Sequence, residues 1–209
     1  MAKTATAPTA FKILIAGGFG VGKTTLVSSV SEIMPLRTDE ALTRAGVRAD
    51  STYGIEDKRT TTVAMDFGRI TLPGEIVLYL FGTPGQERFY FAWDELALGA
   101  LGAVVLTDTR RLADCFPALD YFERTGTPLV VAVNGFDDAQ PFGIDAVRRA
   151  LDLELDVPIV KCDARRRDSG KEVLIALVRH VLERRAARHA TAKPSPAKPS
   201  PPNLGPQST

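Results

Sequence analysis

Short apolar runs and amphipathic segments alternate along most of this chain. Runs rich in Val, Ile and Leu, bounded by glycine, proline or polar residues, predict strands at Phe11–Ala16, Val63–Leu72, Glu75–Phe81, Leu101–Thr107, Pro128–Val133 and Val157–Val160. Apolar residues recur at helical spacing in four further segments, which predict helices at Thr24–Met34, Leu112–Glu123, Ile144–Leu153 and Val173–Leu182. The chain is therefore expected to combine strands and helices in one folded unit.

The order of these elements predicts an α/β fold. Strand and helix alternate from Leu101 onward, which is typical of a parallel sheet covered by helices on both faces. Pro73-Gly74 lies between two predicted strands and indicates a hairpin, which adds one antiparallel edge strand. We therefore expect a six-stranded, mostly parallel sheet. The polar stretch from Leu36 to Thr61 has weak periodicity and is expected to be a long functional loop, with a short helix inside it as an option.

The composition divides the chain into three parts. Residues 1–10 are expected to be a flexible leader, and residues 11–189 the folded domain. From about Ala190 the sequence turns to Pro, Ser and Lys, which cannot bury enough apolar area to fold. Residues 190–209 are therefore expected to be a disordered tail, which either keeps the protein soluble or binds a proline-reading domain.

Charge and cysteine content limit the function classes. Residues 1–164 carry 16 basic and 22 acidic residues, whereas residues 165–188 carry 8 basic and 3 acidic ones. An acidic body speaks against a nucleic-acid-binding protein, and the basic last helix is either a solvated face or a contact for an anionic membrane or acidic partner. The sequence has two cysteines, which favours the reducing cytoplasm. It has no apolar run long enough for a membrane span and no lipid-anchor motif, so we expect it to contact membranes only through a partner.

A complete phosphate-binding motif follows the first predicted strand. It matches G-x-x-x-x-G-K-[ST] and opens a predicted helix, as this motif requires; it reads Gly17-Gly18-Phe19-Gly20-Val21-Gly22-Lys23-Thr24, followed by Thr25. Its backbone N–H groups can surround phosphate oxygens at a helix N-terminus. Lys23 is expected to neutralise the β- and γ-phosphates, and the Thr24 hydroxyl to ligate Mg²⁺.

The choice of base is expected to depend on a later loop, because phosphate binding alone leaves ATP and GTP open. Val133-Asn134-Gly135-Phe136-Asp137 follows a predicted strand, at the sheet edge where α/β proteins bind ligands. The carboxylate of Asp137 can accept both hydrogen bonds that the guanine N1–H and exocyclic amine offer, and adenine cannot supply that pair. Asn134 would brace this loop against the P-loop. Asn-Gly is also a common turn dipeptide, so an ordinary turn remains an alternative.

Two segments in the middle of the chain are candidates for sensing the γ-phosphate. Gly82-Thr83-Pro84-Gly85-Gln86 follows a predicted strand, so the Gly85 amide could bond the γ-phosphate and Gln86 could orient a water. Thr60-Thr61-Thr62 precedes another strand, and one of these hydroxyls could complete the Mg²⁺ shell. Threonines at this position are also plain strand formers.

Taken together, these segments resemble the Ras-like small P-loop GTPases over roughly residues 11–188. The resemblance implies a GTP/GDP-binding switch with Thr62 as the Mg²⁺-ligating switch I threonine, Gly85-Gln86 in switch II, and Cys162-Asp163-Ala164 as the last guanine loop. More narrowly, the segments around Thr62, Gly85 and Asp108 are similar to the actinobacterial conservon GTPases (CvnD type) and the related MglA type. That likeness implies a sensor-kinase-like membrane partner and a small roadblock-type partner.

Three positions depart from the Ras-like pattern. An aspartate that supports Mg²⁺ in that class is replaced by Gly82, and the sequence does not show whether Asp66 compensates. Gly135 replaces the lysine of the guanine loop, and Phe19 occupies a P-loop position that is often small. We therefore expect weaker Mg²⁺ retention and slow unaided hydrolysis.

Three functions remain open at this point. The leading hypothesis is a GTPase switch in which Lys23, Gln86 and Thr62 act on the γ-phosphate and hydrolysis releases the loops. The second is a scaffold that binds nucleotide without turnover, and the third is a P-loop ATPase or kinase. An aromatic run from Phe89 to Trp93 either packs on the core or contacts an effector.

Overall fold

The computed structural model describes residues 8–42, 61–85, 91–137 and 142–191, with the backbone alone for residues 37–42, 61–64 and 191. The strands are β1 (Thr9–Ala16), β2 (Leu36–Leu42), β3 (Thr61–Leu72), β4 (Ile76–Gly82), β5 (Ala100–Thr107), β6 (Leu129–Asn134) and β7 (Ile159–Cys162). The helices are α1 (Lys23–Val30), α2 (Trp93–Ala97), α3 (Phe116–Thr125), α4 (Ile144–Ala150) and α5 (Arg167–Thr191), and a 3₁₀ turn at Leu112–Cys115 precedes α3.

The seven strands of the described residues form one sheet in the order β2-β3-β4-β1-β5-β6-β7. β3 pairs antiparallel with both β2 and β4, and every other described pair is parallel. The predicted fold is confirmed: the six predicted strands are present, one of them antiparallel to the rest. A seventh strand, β2, lies outside β3 and takes the edge position that β3 was expected to hold.

β2 occupies the first part of the segment expected to be a loop. It pairs with β3 from Leu36 opposite Phe67 to Leu42 opposite Thr61. An edge strand is held by backbone hydrogen bonds to one neighbour and needs no clear alternation of apolar residues. Three of the seven residues of β2 are charged, namely Arg37, Asp39 and Glu40, so its sequence does not show the pattern that predicts a strand.

The helices form a layer on each face of the sheet. α1 and α5 cover one face, where their apolar side chains pack with those of β1, β4, β5 and β6; this core includes Ile13, Leu26, Val30, Leu80, Val104 and Leu177. α2, α3 and α4 cover the other face, with a core that includes Leu14, Trp93, Val105, Leu119, Phe122 and Val147. The loops that follow β1, β4, β6 and β7 leave this two-layer core at the carboxyl ends of parallel strands, where α/β folds bind ligands.

Helix α5 is longer than the sequence pattern predicted. It runs for 25 residues, Arg167–Thr191, instead of Val173–Leu182, because charged residues extend it at both ends beyond the apolar face. Within the residues that the structure describes, no helix is both long and apolar enough to cross a membrane. The predicted leader and Pro-rich tail lie mostly outside the described residues.

Candidate functional site

The phosphate-binding motif forms the loop between β1 and α1, as the sequence predicts. Gly17, Gly20 and Gly22 have φ values of 131°, 73° and 105°, which are left-handed conformations that favour glycine. A Cβ on Gly17 would lie 2.3 Å from the backbone oxygen of Leu106, so this position also lacks the space for a side chain. The glycines therefore let the loop turn sharply and bring its N–H groups to the start of α1, a favourable place for phosphate.

The side chain of Lys23 is held across this loop. Its Nζ donates to the backbone oxygens of Gly17 at 2.9 Å and Gly18 at 2.7 Å. Burial lowers the pKa of Lys23 to about 8, and the nearby carboxylate of Asp66 acts in the opposite direction. A lysine ammonium has three N–H donors. Two of them orient Lys23 within the loop, and a third can reach an oxygen of a bound phosphate.

Gly85 is packed against the same loop. A Cβ at this position would lie 2.5 Å from Lys23 Nζ and 3.0 Å from the Gly18 backbone oxygen. The chain after β4 is thus close enough to the P-loop for the Gly85 backbone to take part in phosphate binding. The neighbouring Gln86 lies outside the described residues. The backbone of Thr62 lies in β3 opposite Ala41, and the roles of Gln86 and Thr62 stay predictions.

Thr24 contacts a carboxylate that the sequence left unassigned. Its Oγ1 donates a hydrogen bond of 2.5 Å to Oδ2 of Asp66, which lies 42 residues further along the chain. Asp66 lies in β3 opposite Gly82 in β4. The P-loop hydroxyl and an acidic side chain from the sheet therefore meet at the start of α1.

Mg²⁺ prefers oxygen ligands, and these two side chains supply them. Thr24 and Asp66 fit such an ion at the phosphate end of the site. Among the described residues, no group of three or more His, Cys, Asp or Glu side chains could hold a metal ion. In P-loop proteins, oxygens of the nucleotide phosphates also belong to the Mg²⁺ shell.

At the other end of the site, Asn134 joins three loops. Its Nδ2 donates to the Val21 backbone oxygen at 3.0 Å, and its Oδ1 accepts from the Ala164 N–H at 2.9 Å. The side chain is buried, and a Cβ on Gly22 would lie 2.8 Å from its Nδ2. The sequence expectation that Asn134 braces its loop against the P-loop is thus met by a hydrogen bond.

Asp137 faces the same cavity but is highly exposed. Its side chain is 87% accessible, and its two carboxylate oxygens lie 3.3 and 3.4 Å from the guanidinium nitrogens of Arg165. Arg165 also forms an ion pair of 2.9 Å with Asp163, and its hydrogen bonds lower the pKa of that carboxyl. The cavity has a volume of about 510 Å³ and is lined by Gly20, Gly22, Thr25, Asn134, Gly135, Phe136, Asp137, Asp163, Ala164 and Arg165.

The last predicted guanine loop is tied to the first by backbone contacts. The Cys162 carbonyl accepts from the Gly135 N–H at 2.7 Å, and the Asp163 N–H donates to Ser169 Oγ at 2.9 Å. Within this loop, the Ala164 N–H donates to Oδ1 of Asn134. The loop thus positions its neighbours, and its reading of the base stays a prediction.

Three arginines near the site were not identified from the sequence as part of it. Besides Arg165, Arg111 donates to the Phe19 backbone oxygen at 2.9 Å, and Arg110 lies with its guanidinium 4.0 Å from the centre of the Phe136 ring. The buried Asp108 comes directly after β5, and Arg110 and Arg111 lie two and three residues beyond it. The available signal was their place just after a strand, at the same sheet edge as the P-loop.

The aromatic run after Gln86 divides into two environments among the described residues. Trp93 is buried, stacks on Phe122 with a centroid distance of 6.0 Å, and donates from Nε1 to the Pro84 backbone oxygen at 3.3 Å. Phe91 is exposed. For Trp93 the core-packing alternative is therefore confirmed, and this packing anchors the segment that follows Gly85.

Comparison with solved structures confirms the fold. The G domain of the T. maritima FeoB iron transporter superposes with a TM-score of 0.59 over 82% of this chain and 98% of that domain, at 19% identity. An uncharacterized protein of Methanocaldococcus jannaschii is 30% identical over 100 residues, which cover 48% of this chain. That match spans 52% of the relative, so the chain covers about half the length of the curated relative it matches.

A family model extends over most of the chain. It matches residues 15–184, which include the P-loop, the β4 end and both base-side loops. Its description names ATP binding. The protein belongs to this family, the conserved hypothetical ATP binding proteins, and has the fold of a P-loop G domain.

Proposed function

We propose that this protein is a GTP-binding switch that hydrolyses GTP to GDP slowly without a partner. The observation that carries the proposal is that Asn134 connects the P-loop to the cavity on the base side. Its side chain hydrogen bonds to the backbone of Val21 in the P-loop and to the backbone of Ala164 in the loop after β7. The cavity then presents Asp137 at its rim. This arrangement suits a nucleotide whose phosphates lie at Lys23 and whose base lies beside Asp137.

Asp137 favours guanine over adenine by its chemistry. An ionised carboxylate only accepts hydrogen bonds, and guanine offers it two donors, N1–H and the exocyclic amine. Adenine would present the unprotonated N1 to the same oxygens. Because Arg165 contacts both oxygens of Asp137, it holds the carboxylate beside the cavity. We therefore propose GTP as the ligand of this chain, although the description of its family names ATP binding.

Competition among purine nucleotides tests this choice. The full chain is loaded with a fluorescent GDP analogue, and GTP, ATP and XTP compete for it. In the wild type, we expect GTP to compete at least about 100-fold better than ATP. Adenine offers no pair of donors to the carboxylate of Asp137, so the hydrogen bonds that guanine makes there would stay unmade.

Asp137→Asn should reverse the preference toward XTP, since xanthine carries a carbonyl where guanine carries its amine. Asp145→Asn, on the exposed surface of α4, is the matched control. Equal competition by ATP in the wild type would overturn the proposal.

Hydrolysis in this proposal depends on charge and positioning. Lys23 and Mg²⁺ would offset phosphate charge, Gln86 would align the attacking water, and Thr62 with Gly85 would hold the γ-phosphate until hydrolysis releases both loops. The observation behind this is the closeness of Gly85 to Lys23: a Cβ added to Gly85 would lie 2.5 Å from Lys23 Nζ. Slow turnover is expected because Gly82 offers no carboxylate.

The second candidate is a nucleotide-bound scaffold with little or no hydrolysis. Phe19 favours it, because this residue is 65% exposed on the P-loop, where its ring can obstruct a partner's catalytic arginine. Single-turnover measurement of Gln86→Leu separates the two functions. A switch should lose most of its turnover at unchanged nucleotide affinity, whereas unchanged turnover would favour the scaffold.

The partners in this proposal follow from the conservon-like motifs. We expect a sensor-kinase-like membrane protein and a roadblock-type protein to bind the face that changes with the nucleotide. Co-purification with each candidate in the presence of GDP, and of a non-hydrolysable GTP analogue, tests this. Partner binding that ignores the nucleotide would contradict a switch.

A further inference from the structure

A second cavity lies at the opposite edge of the sheet from the nucleotide site. It has a volume of about 460 Å³ and is lined by residues of α3, of α5 and of the loops before β6 and β7. Those loops lead into the amino ends of parallel strands, whereas the P-loop and the base-side loops follow carboxyl ends. The cavity is therefore separate from the nucleotide site, and the proposed function does not use it.

The floor of this second cavity is apolar and its rim is acidic. The buried side chains of Phe122 and Leu129 belong to the floor. Four exposed acidic residues form the rim: Glu123, Asp152, Glu154 and Asp156. Arg184 is the one arginine or lysine among the lining residues. Within the described part of the chain, none of these rim carboxylates forms an ion pair with a basic side chain.

The carboxylate of Glu123 is repelled by its neighbours. Partial burial raises the pKa of Glu123, and the carboxylates of Asp120, Glu154 and Asp152 raise it further. Like charges that lie close together disfavour the charged form of each group. A cation bound between them would relieve this repulsion, so the rim favours a positively charged ligand.

His180 lines the same cavity from α5. The residue is 3% exposed, and its Nε2 has no hydrogen-bond partner among the described residues, although buried polar groups in folded proteins almost always have one. Burial lowers the pKa of His180 and Arg184 lowers it too, whereas Asp156 and Glu183 act in the opposite direction. The neutral ring is therefore favoured, and one of its nitrogens accepts a hydrogen bond. A small turn of the ring would offer Nε2 to an N–H donor in the cavity.

The spacing of these groups does not suit a single metal ion. Among the described residues, no three His, Cys, Asp or Glu side chains come close enough together to hold one. Carboxylates that are too far apart to share an ion can each accept hydrogen bonds from a different ammonium group of one extended molecule. The ligand is thus expected to carry several positive charges on an apolar chain.

We propose that the second cavity binds an aliphatic polyamine, with its ammonium groups at the rim carboxylates and its methylene chain on Phe122 and Leu129. An ammonium group has N–H donors and no acceptor, which suits both the carboxylates and a neutral His180. The methylene chain can cover the apolar floor while the charged ends stay in water, as the stems of lysine side chains do. Binding at this cavity needs no nucleotide, so the inference stands apart from the proposed function.

Nuclear magnetic resonance of the histidine rings tests the proposal. The chain has two histidines, and the exposed His189 lies nine residues beyond His180 on α5, about 13 Å along the helix axis. The full chain, labelled with ¹³C-histidine, is titrated with spermidine at constant ionic strength, and His189→Gln assigns the signals. We expect the ring signals of His180 to shift and saturate, and those of His189 to stay in place.

Removing charge from the rim should weaken this binding. For Glu123→Gln combined with Glu154→Gln, we expect the half-saturating spermidine concentration to rise about fivefold or more, as for the loss of exposed ion pairs. Asp145→Asn combined with Glu95→Gln removes the same two charges elsewhere on the surface and is the matched control. It should change that concentration less than about twofold, because salt screens distant charges. Thermal unfolding without spermidine shows whether each variant is folded.

The outcomes decide between a polyamine site and a general effect of charge. A shift of both histidines, or the same His180 shift with MgCl₂ at matched ionic strength, would mean charge screening or metal binding and overturns the proposal. An unchanged half-saturating concentration in the folded rim variant also overturns it. If the double rim variant does not fold, Asp156→Asn takes its place and should raise the concentration about twofold or more. Saturation of His180 alone, weakened by the rim variant and not by its control, supports the site.

Discussion

The phosphate end and the base end of the nucleotide site are built in different ways. At the phosphate end, left-handed glycines, the partly buried Lys23 and the Thr24–Asp66 pair are held by β1, α1 and β3. At the base end, Asn134 is buried, but Asp137 is 87% exposed and its ion pair with Arg165 lies in solvent. One end thus depends on the backbone and the core, and the other on a few surface side chains.

This difference separates affinity from selectivity. Backbone N–H groups and a lysine recognise phosphate irrespective of the base. A carboxylate at the surface acts through hydrogen bonds that compete with water, and its ion pair contributes little to stability. Changes at the phosphate end should therefore affect all nucleotides alike, whereas changes at the base end should alter their ranking. The following predictions test this separation, in order of decreasing effect.

Lys23→Ala should cause the largest loss. It removes the charge that neutralises phosphate, so affinity for GTP, GDP and ATP should each fall by about 100-fold or more, given the strength of charge-assisted hydrogen bonds. Calorimetric titration of the purified variant measures this, with Lys171→Ala on the exposed face of α5 as the control. A loss of affinity confined to GTP would contradict the idea that the phosphate end determines affinity and the base end determines selectivity.

Asn134→Ala should affect both ends because Asn134 connects them. It leaves the Val21 carbonyl and the buried Ala164 N–H without their partner, so the free energy of unfolding should fall by about 2 kcal/mol or more. Urea unfolding without nucleotide measures this. Lys161→Ala, exposed on the neighbouring strand β7, is the control. A stable variant with normal GTP affinity would show that the bridge is dispensable.

Arg165→Ala should have the smallest effect, and it should change the affinity for GTP relative to that for ATP. Without Arg165, the exposed Asp137 carboxylate is held less firmly, so GTP affinity should fall about three- to fivefold, the range of a surface ion pair. ATP affinity should change less than about twofold. The same competition assay measures both, with Arg149→Ala on α4 as the control. A gain in GTP affinity would mean that Arg165 competes with the base instead of orienting Asp137.

Most of the fold could be predicted because its signals are local. Buried strands such as β5 are continuous apolar runs, and the P-loop requires glycines at fixed spacing. β2 could not be predicted, because an edge strand is defined by its partner: Leu36 pairs with Phe67, 31 positions away. The roles of Gln86 and Thr62 remain predictions.

The sequence alone determined the P-loop, the alternation of strand and helix, and the candidate base-reading pair Asn134 and Asp137, because each depends on residue type and short-range spacing. Only the tertiary structure decided that Asp66 meets Thr24 beside Gly82 and that Arg165 holds Asp137. The physical reason is strand register and loop packing. Asp66 faces Thr24 because β3 and β4 pair in one particular register, and a shift by one residue would turn its side chain to the other face of the sheet.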